Sequence, residues 1–230
     1  MQGKRILLVG GSSGIGLRLA HLLVNLGADL TIASRSAEQL NEAFESPVHR
    51  RKLDASCEAS VKTFFVEAPR YDSIICTIKP EHVKGLFTES SISAARDAFD
   101  SKFWGQYYVA KYGAQNIAKQ GSIILTSGIA ASRAYEGFAS TAAINSAVEA
   151  LVRSLALELA PIRVNAVSPG FVERFDNDTQ RLSQVSKLST VKLPLGRLVS
   201  QQSVVEAYLY LLTSEHTTGT ILTVDGGSTL

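Results

Sequence analysis

Two rhythms of apolar positions alternate along the chain. Short apolar, β-type runs occur at Arg5–Val9, Asp29–Ala33, Val48–Leu53, Ser73–Thr77, Ser122–Thr126, Ile162–Val167 and Thr220–Val224. Between most of them lie stretches of helical period, at 14–26, 36–46, 57–68, 91–118, 140–160 and 201–213. Runs such as Ile74-Ile75 and Ile123-Ile124-Leu125 are apolar without alternation, which suits parallel strands covered on both faces. Strand and helix in turn predict an α/β fold with a doubly wound parallel sheet of seven strands and right-handed crossovers. No repeat or linker interrupts the pattern, so residues 1–230 read as one domain. Only Phe171 to Ser200 follows neither rhythm; this polar stretch (171–200) reads as a substrate lid, because long loops in compact domains are usually functional.

The first strand–helix junction carries the strongest chemical signal. After Ile6-Leu7-Leu8-Val9 comes Gly10-Gly11-Ser12-Ser13-Gly14-Ile15-Gly16, and a helical pattern follows at once. Glycines allow a sharp turn and close backbone approach, and the helix N-terminus offers free N–H groups and a positive dipole end. The turn therefore reads as a cradle for a nucleotide pyrophosphate. Its spacing, G-x-x-x-G-x-G, differs from the G-x-G-x-x-G of the general dinucleotide fingerprint.

Composition narrows the partners. The 230 residues are 45% hydrophobic, enough for one large core, and the net charge is only +2 with no basic run. Nucleic acid is not an expected partner. No apolar run approaches the roughly 20 residues needed to span a bilayer, so no membrane is expected. Cys57 and Cys76 read as free thiols, and the N-terminus enters a strand directly, which together predict a cytoplasmic protein.

Several motifs in register resemble the short-chain dehydrogenase/reductase family along the whole chain. VGGSSGIG at 9–16 matches its cofactor turn and Asp54 its acidic residue beside the adenine. Ser127, ending ILTSG, matches its active-site serine. SLALELAPIRVNAVSPG at 154–170, LPLGR at 193–197 and TGTILTVDGG at 218–227 match its C-terminal half. The resemblance implies a Rossmann-like fold and cofactor contacts from Gly10, Ser12, Ser13, Gly14, Ile15, Gly16, Ser34, Arg35, Leu53, Asp54, Thr77, Ile78, Lys79, Lys102, Asn145, Pro169, Gly170, Phe171 and Val172. It also implies a homodimer or homotetramer, with helices 91–118 and 140–160 pairing across a two-fold axis. Arg35 ends the second strand where an NAD site would place an acid. A guanidinium there favours a 2′-phosphate, so the cofactor expected is NADP(H).

The catalytic positions depart from the family. Aligning AVEALVRSLALELAP at 147–161 puts the tyrosine position on Thr141 and the lysine position on Asn145. A phenol acidified by a neighbouring lysine is thus missing from this helix. The asparagine of the family's N-x-x-G is Lys102 in Lys102-Phe103-Trp104-Gly105, and the small residues after the fourth strand are Ile78-Lys79. A small subset of the family is similar in carrying KFWGQY and AAxN, here at 102–107 and 142–145. The pattern reads as a partial swap, with Lys102 supplying the charge and Asn145 the ribose hydrogen bonds. Ser127 alone survives of the usual four, and Arg133 or Tyr135 in the loop after it are candidate donors.

Three function classes follow. The first is an NADPH-dependent reductase of a small organic C=N or C=O substrate, in secondary metabolism. The second is a non-redox cyclase or isomerase using the cofactor as pocket wall. The third is a cofactor-binding regulator without catalysis. The lid favours an enzyme, and the first class is the expectation.

Overall fold

A computed structural model describes residues 1–40, 44–80, 83, 85–173 and 193–230. The strands are β1 (Arg5–Val9), β2 (Asp29–Ser34), β3 (His49–Lys52), β4 (Tyr71–Cys76), β5 (Ile117–Thr126), β6 (Arg163–Pro169) and β7 (Ile221–Val224). They form one seven-stranded sheet in the order β3-β2-β1-β4-β5-β6-β7. Every pair is parallel. The order reverses between β1 and β4, and a crevice opens there because their connections leave toward opposite faces.

The helices are α1 (Gly14–Asn25), α2 (Glu58–Val66), α3 (Ile92–Phe99), α4 (Gly105–Gly113), α5 (Ala139–Glu158) and α6 (Gln201–Thr213). Alternate residues of β1 feed two cores. Ile6 and Leu8 pack with Leu19 and Leu23 of α1 and with Val204 and Leu211 of α6. Leu7 and Val9 pack with Phe64 of α2, Val109 of α4, and Val148 and Val152 of α5. Both faces of the sheet are therefore covered at β1, which is why Ile6–Val9 lack polar alternation. β3, His49-Arg50-Arg51-Lys52, carries charges that suit a sheet edge.

Two helical expectations are corrected. Among the described residues of the stretch 36–46, a 3₁₀ turn occupies Ala37–Gln39; residues 41–43 lie outside the described set. The stretch 91–118 is not one helix. Ser91 caps α3 through Ala94 N–H (3.3 Å), a π-helical turn occupies Asp100–Trp104, and α4 ends at Gly113. The extra residue of the π turn rotates Lys102 inward, and Gln106 stabilises the disturbed backbone. Its amide donates to the Lys102 carbonyl (3.0 Å) and the Thr126 carbonyl (3.1 Å), and accepts from Thr126 N–H (2.7 Å). Past Gly113, Ile117 begins β5 opposite Tyr71 of β4. Of the expected lid, residues 174–192 lie outside the described residues; its two ends meet at a Val172–Val199 bridge.

Candidate functional site

A cleft of about 550 Å³ lies at the carboxyl ends of β1, β2, β4 and β5. Its floor is the glycine turn, held against β4 by Thr77, whose hydroxyl and N–H both donate to the Val9 carbonyl (3.2 and 2.8 Å). Gly16 permits that closeness: a Cβ there would stand 2.6 Å from Thr77 Oγ1. The N-terminus of α1 points at the same space, which is the arrangement that binds phosphate.

The far end is built for a polar, anionic group. Ser34 and Ser36 donate to Ser12 Oγ (3.1 and 3.4 Å) beside the exposed Arg35. Asp54 receives Ser56 N–H and Oγ–H at one oxygen (3.1 and 2.6 Å) and is the only acid among the lining residues. Of the cofactor positions expected from sequence, Gly10, Ser12, Ser13, Gly14, Ile15, Gly16, Ser34, Arg35, Leu53, Asp54, Thr77, Ile78, Lys79, Lys102 and Pro169 line the cleft. Asn145, Gly170, Phe171 and Val172 are not among its lining residues. Ser36, Ser101 and Tyr208 line it without having been expected.

At the opposite end Lys102 is buried, 7% exposed. Its ammonium donates to the Ser127 carbonyl (2.8 Å) and to Asn145 Oδ1 (2.7 Å). Asn145 Nδ2 in turn donates to the Gly128 carbonyl (3.1 Å), which fixes the amide's orientation. Burial lowers the Lys102 pKa from 10.5 to about 8; Glu149 opposes the fall and Lys79 adds to it.

Ser127 lines the cleft, where the sequence places it, and its hydroxyl is hydrogen-bonded to α5. Successive residues of an extended chain point to opposite sides. Ser127 Oγ donates to Glu149 Oε1 (2.8 Å) and toward the Asn145 carbonyl (3.3 Å), both on α5. The side facing the Asn145 amide belongs to Gly128, where a Cβ would lie 2.8 Å from Nδ2. Ser127 thus offers its carbonyl to the site, while its one proton is directed to Glu149. Thr141 stands on α5 one helical turn before Asn145.

Arg133 and Tyr135 do not join this cluster. The Arg133 guanidinium donates to the carbonyls of Ser228 and Leu230 (3.1 Å to the latter), tying its loop to the C-terminal segment. Tyr135 is buried against Phe138 and Phe171, with ring centroids 5.8 and 5.3 Å away. Burial raises its pKa, opposed by the Ser228 side chain. Neither residue lines the cleft. Glu149, Gln106 and Gly128 escaped sequence reasoning. The two polar ones lie four residues after Asn145 and Lys102, the helical spacing that puts them on the same face.

The family profile described as Enoyl-(Acyl carrier protein) reductase matches residues 9–229. A short-chain dehydrogenase/reductase of Stachybotrys chlorohalonatus is 30% identical, over 100% of this chain and 98% of that protein. The chain belongs to the short-chain dehydrogenase/reductase family. This family member is also similar to the 3-oxoacyl-(acyl-carrier-protein) reductase of Chlamydia pneumoniae, 29% identical over 99% of this chain and 97% of that one. Among solved structures, a small-chain dehydrogenase in complex with NADPH shares 33% identity at a TM-score of 0.80, covering 99% of both chains. The doubly wound sheet of this short-chain dehydrogenase/reductase is thus the family's own.

Proposed function

We propose that the protein is an NADPH-dependent reductase of a small organic C=O or C=N substrate, with Lys102 as its acid in place of a tyrosine–lysine pair. The observation that carries this reading is the buried Lys102 ammonium, held by Ser127 and Asn145 in the wall of the nucleotide-shaped cleft.

The residues fit the cofactor. The glycine turn and the α1 N-terminus suit the pyrophosphate, Asp54 the adenine, and Arg35 with Ser12, Ser34 and Ser36 a 2′-phosphate. NADPH, when bound, supplies a hydride. Lys102 then does what this chain needs for a carbonyl: its ammonium stabilises the alkoxide that develops on the substrate oxygen and gives it a proton, which solvent returns. The net reaction consumes the carbonyl, one hydride and one proton, and yields the alcohol. An iminium needs the hydride alone. The fixed cation at Lys102 favours the carbonyl or a neutral imine, because a permanent iminium charge would be repelled. Asn145 holds the ammonium in place, a role open to an amide but not to a second lysine.

Arg133, Tyr135 and Phe171 shape the neighbouring wall in this reading and donate no proton. We also infer a cytoplasmic homo-oligomer, dimer or tetramer. Phe103, Trp104, Tyr107 and Tyr108 form one chain of ring contacts on the π turn and α4, and Leu157 of α5 is 82% exposed. NADPH oxidation with a panel of activated ketones, aldehydes and cyclic imines tests the function. Reduction of at least one class is expected. Tight NADPH binding with no oxidation across the panel, or product without NADPH consumption, contradicts it.

A further inference from the structure

We propose that Glu149 is a positioning residue that keeps Lys102 charged and aimed at the cleft, acting through Ser127. This deepens the reading of Lys102 as the acid and rests on it. The contacts run in series. The Glu149 carboxylate receives the Ser127 hydroxyl at 2.8 Å, and the Ser127 carbonyl receives the Lys102 ammonium at 2.8 Å. Asn145, one turn before Glu149 on α5, closes the loop from the other side: its carbonyl lies 3.3 Å from Ser127 Oγ and its Oδ1 2.7 Å from Lys102 Nζ. One helix face therefore grips Ser127 by its hydroxyl and Lys102 by its ammonium. Glu149 is not among the residues that line the cleft, so in this reading it acts through Ser127.

The carboxylate also answers an electrostatic need. A lysine taken out of water sheds its proton unless a negative charge is near. Among the described residues, two charged groups act on Lys102: Glu149 from α5, which favours the ammonium, and Lys79 from the segment after β4, which disfavours it. Asn145 and the Ser127 carbonyl, its hydrogen-bond partners, are neutral. Among the described residues Glu149 is thus the group that offsets both burial and Lys79. Because Ser127 stands between the two charges, the ammonium keeps its face toward the cleft and is not drawn into a closed ion pair. A neutral residue at 149 would leave the same contacts with the wrong charge.

The test reads Lys102 directly in the cofactor-free protein. Lysine labelled with ¹³C at Cε gives a resonance that follows protonation, and the Lys102 signal is the one absent from Lys102→Met. In the wild type its titration is expected near 8. In Glu149→Gln the amide oxygen still accepts the Ser127 proton, so the fold persists, and the midpoint is expected to fall by about one pH unit. Glu149→Asp, which restores the charge, is expected to recover most of that change, and Glu136→Gln on the exposed loop to cause none. In steady state the alkaline limb of kcat/KM for carbonyl reduction moves to lower pH with the resonance. A Lys102 midpoint equal in wild type and Glu149→Gln overturns the proposal. If instead Lys102→Met keeps full turnover, the reading of Lys102 as the acid fails, and the titration still decides whether Glu149 sets its charge.

Discussion

Replacing Lys102 by methionine should change how the fold's stability depends on pH, in a direction and size that follow from burial. Lys102 is 7% exposed, and its pKa is lowered from 10.5 to about 8. That difference corresponds to about 3 kcal/mol between folded and unfolded chains. The sign is fixed by which state holds the proton. Between pH 8 and 10.5 the unfolded lysine is protonated and the folded one is not, so the unfolded state binds more protons and stability rises with pH. Below 8 both states are charged and the full cost of burying the ammonium is present; above 10.5 it is gone. Methionine has no proton to lose. It also leaves the Ser127 carbonyl and Asn145 Oδ1 without their donor, at about 1–3 kcal/mol each. That second effect does not depend on pH. The difference in unfolding free energy, wild type minus Lys102→Met, should therefore climb by about 3 kcal/mol across this window. Other titrating groups, Tyr71 and Tyr208 among them, cancel in the difference. Urea unfolding of both proteins without cofactor, at closely spaced pH values from neutral to alkaline, measures it. A difference that stays flat across the window refutes the assignment of Lys102 as a buried ammonium.

Other outcomes follow from the same geometry. Arg35→Ala should weaken NADPH binding by about 10–100-fold while leaving NADH nearly unchanged, as expected for loss of a charge-assisted contact, and calorimetry with both cofactors checks it. Gly128→Ala would place a methyl 2.8 Å from Asn145 Nδ2, so the amide must turn and release the Gly128 carbonyl; turnover should fall by about tenfold with NADPH affinity kept. The double variant Thr141→Tyr with Asn145→Lys should not become an ordinary carbonyl reductase, because its new lysine would face Lys102 across the position Asn145 Oδ1 now fills. Ketone reduction by that variant above the wild-type rate would show that the surroundings had not been rebuilt.

Most of the fold was legible because burial on both faces writes itself into the sequence. Ile6–Val9 of β1, Ile74-Ile75 of β4 and Ile123–Leu125 of β5 are apolar runs, and the glycine turn after β1 marks the switch point of the sheet. Arg35 was legible for a related reason: the end of a parallel strand beside that turn has one place to project, and it lines the cleft. What escaped depends on single-residue phase. Ser127 and Gly128 are adjacent, and only the direction of the chain leaving β5 says which one faces Asn145. A sequence match put Ser127 at the site, and it lines the cleft; the bond from its hydroxyl to Glu149 was not legible. The π turn at Asp100–Trp104 was hidden in the same way, since one extra residue per turn leaves no mark on hydrophobic period, yet it is what brings Lys102 inward. Glu149 looked like any charged residue on a helix until Ser127 was seen to reach it. Arg133 and Tyr135 were plausible donors by distance along the chain, and their partners, Ser228, Leu230 and Phe171, come from segments that local pattern does not connect to them.

The central claim is that Lys102 does the work of the absent tyrosine and lysine. Single-turnover reduction of the best carbonyl substrate by Lys102→Met, with NADPH affinity measured in parallel, tests it most directly. Hydride transfer should slow by about a hundredfold or more, while NADPH still binds through the glycine turn and Arg35. Hydride transfer at the wild-type rate in Lys102→Met would contradict the account.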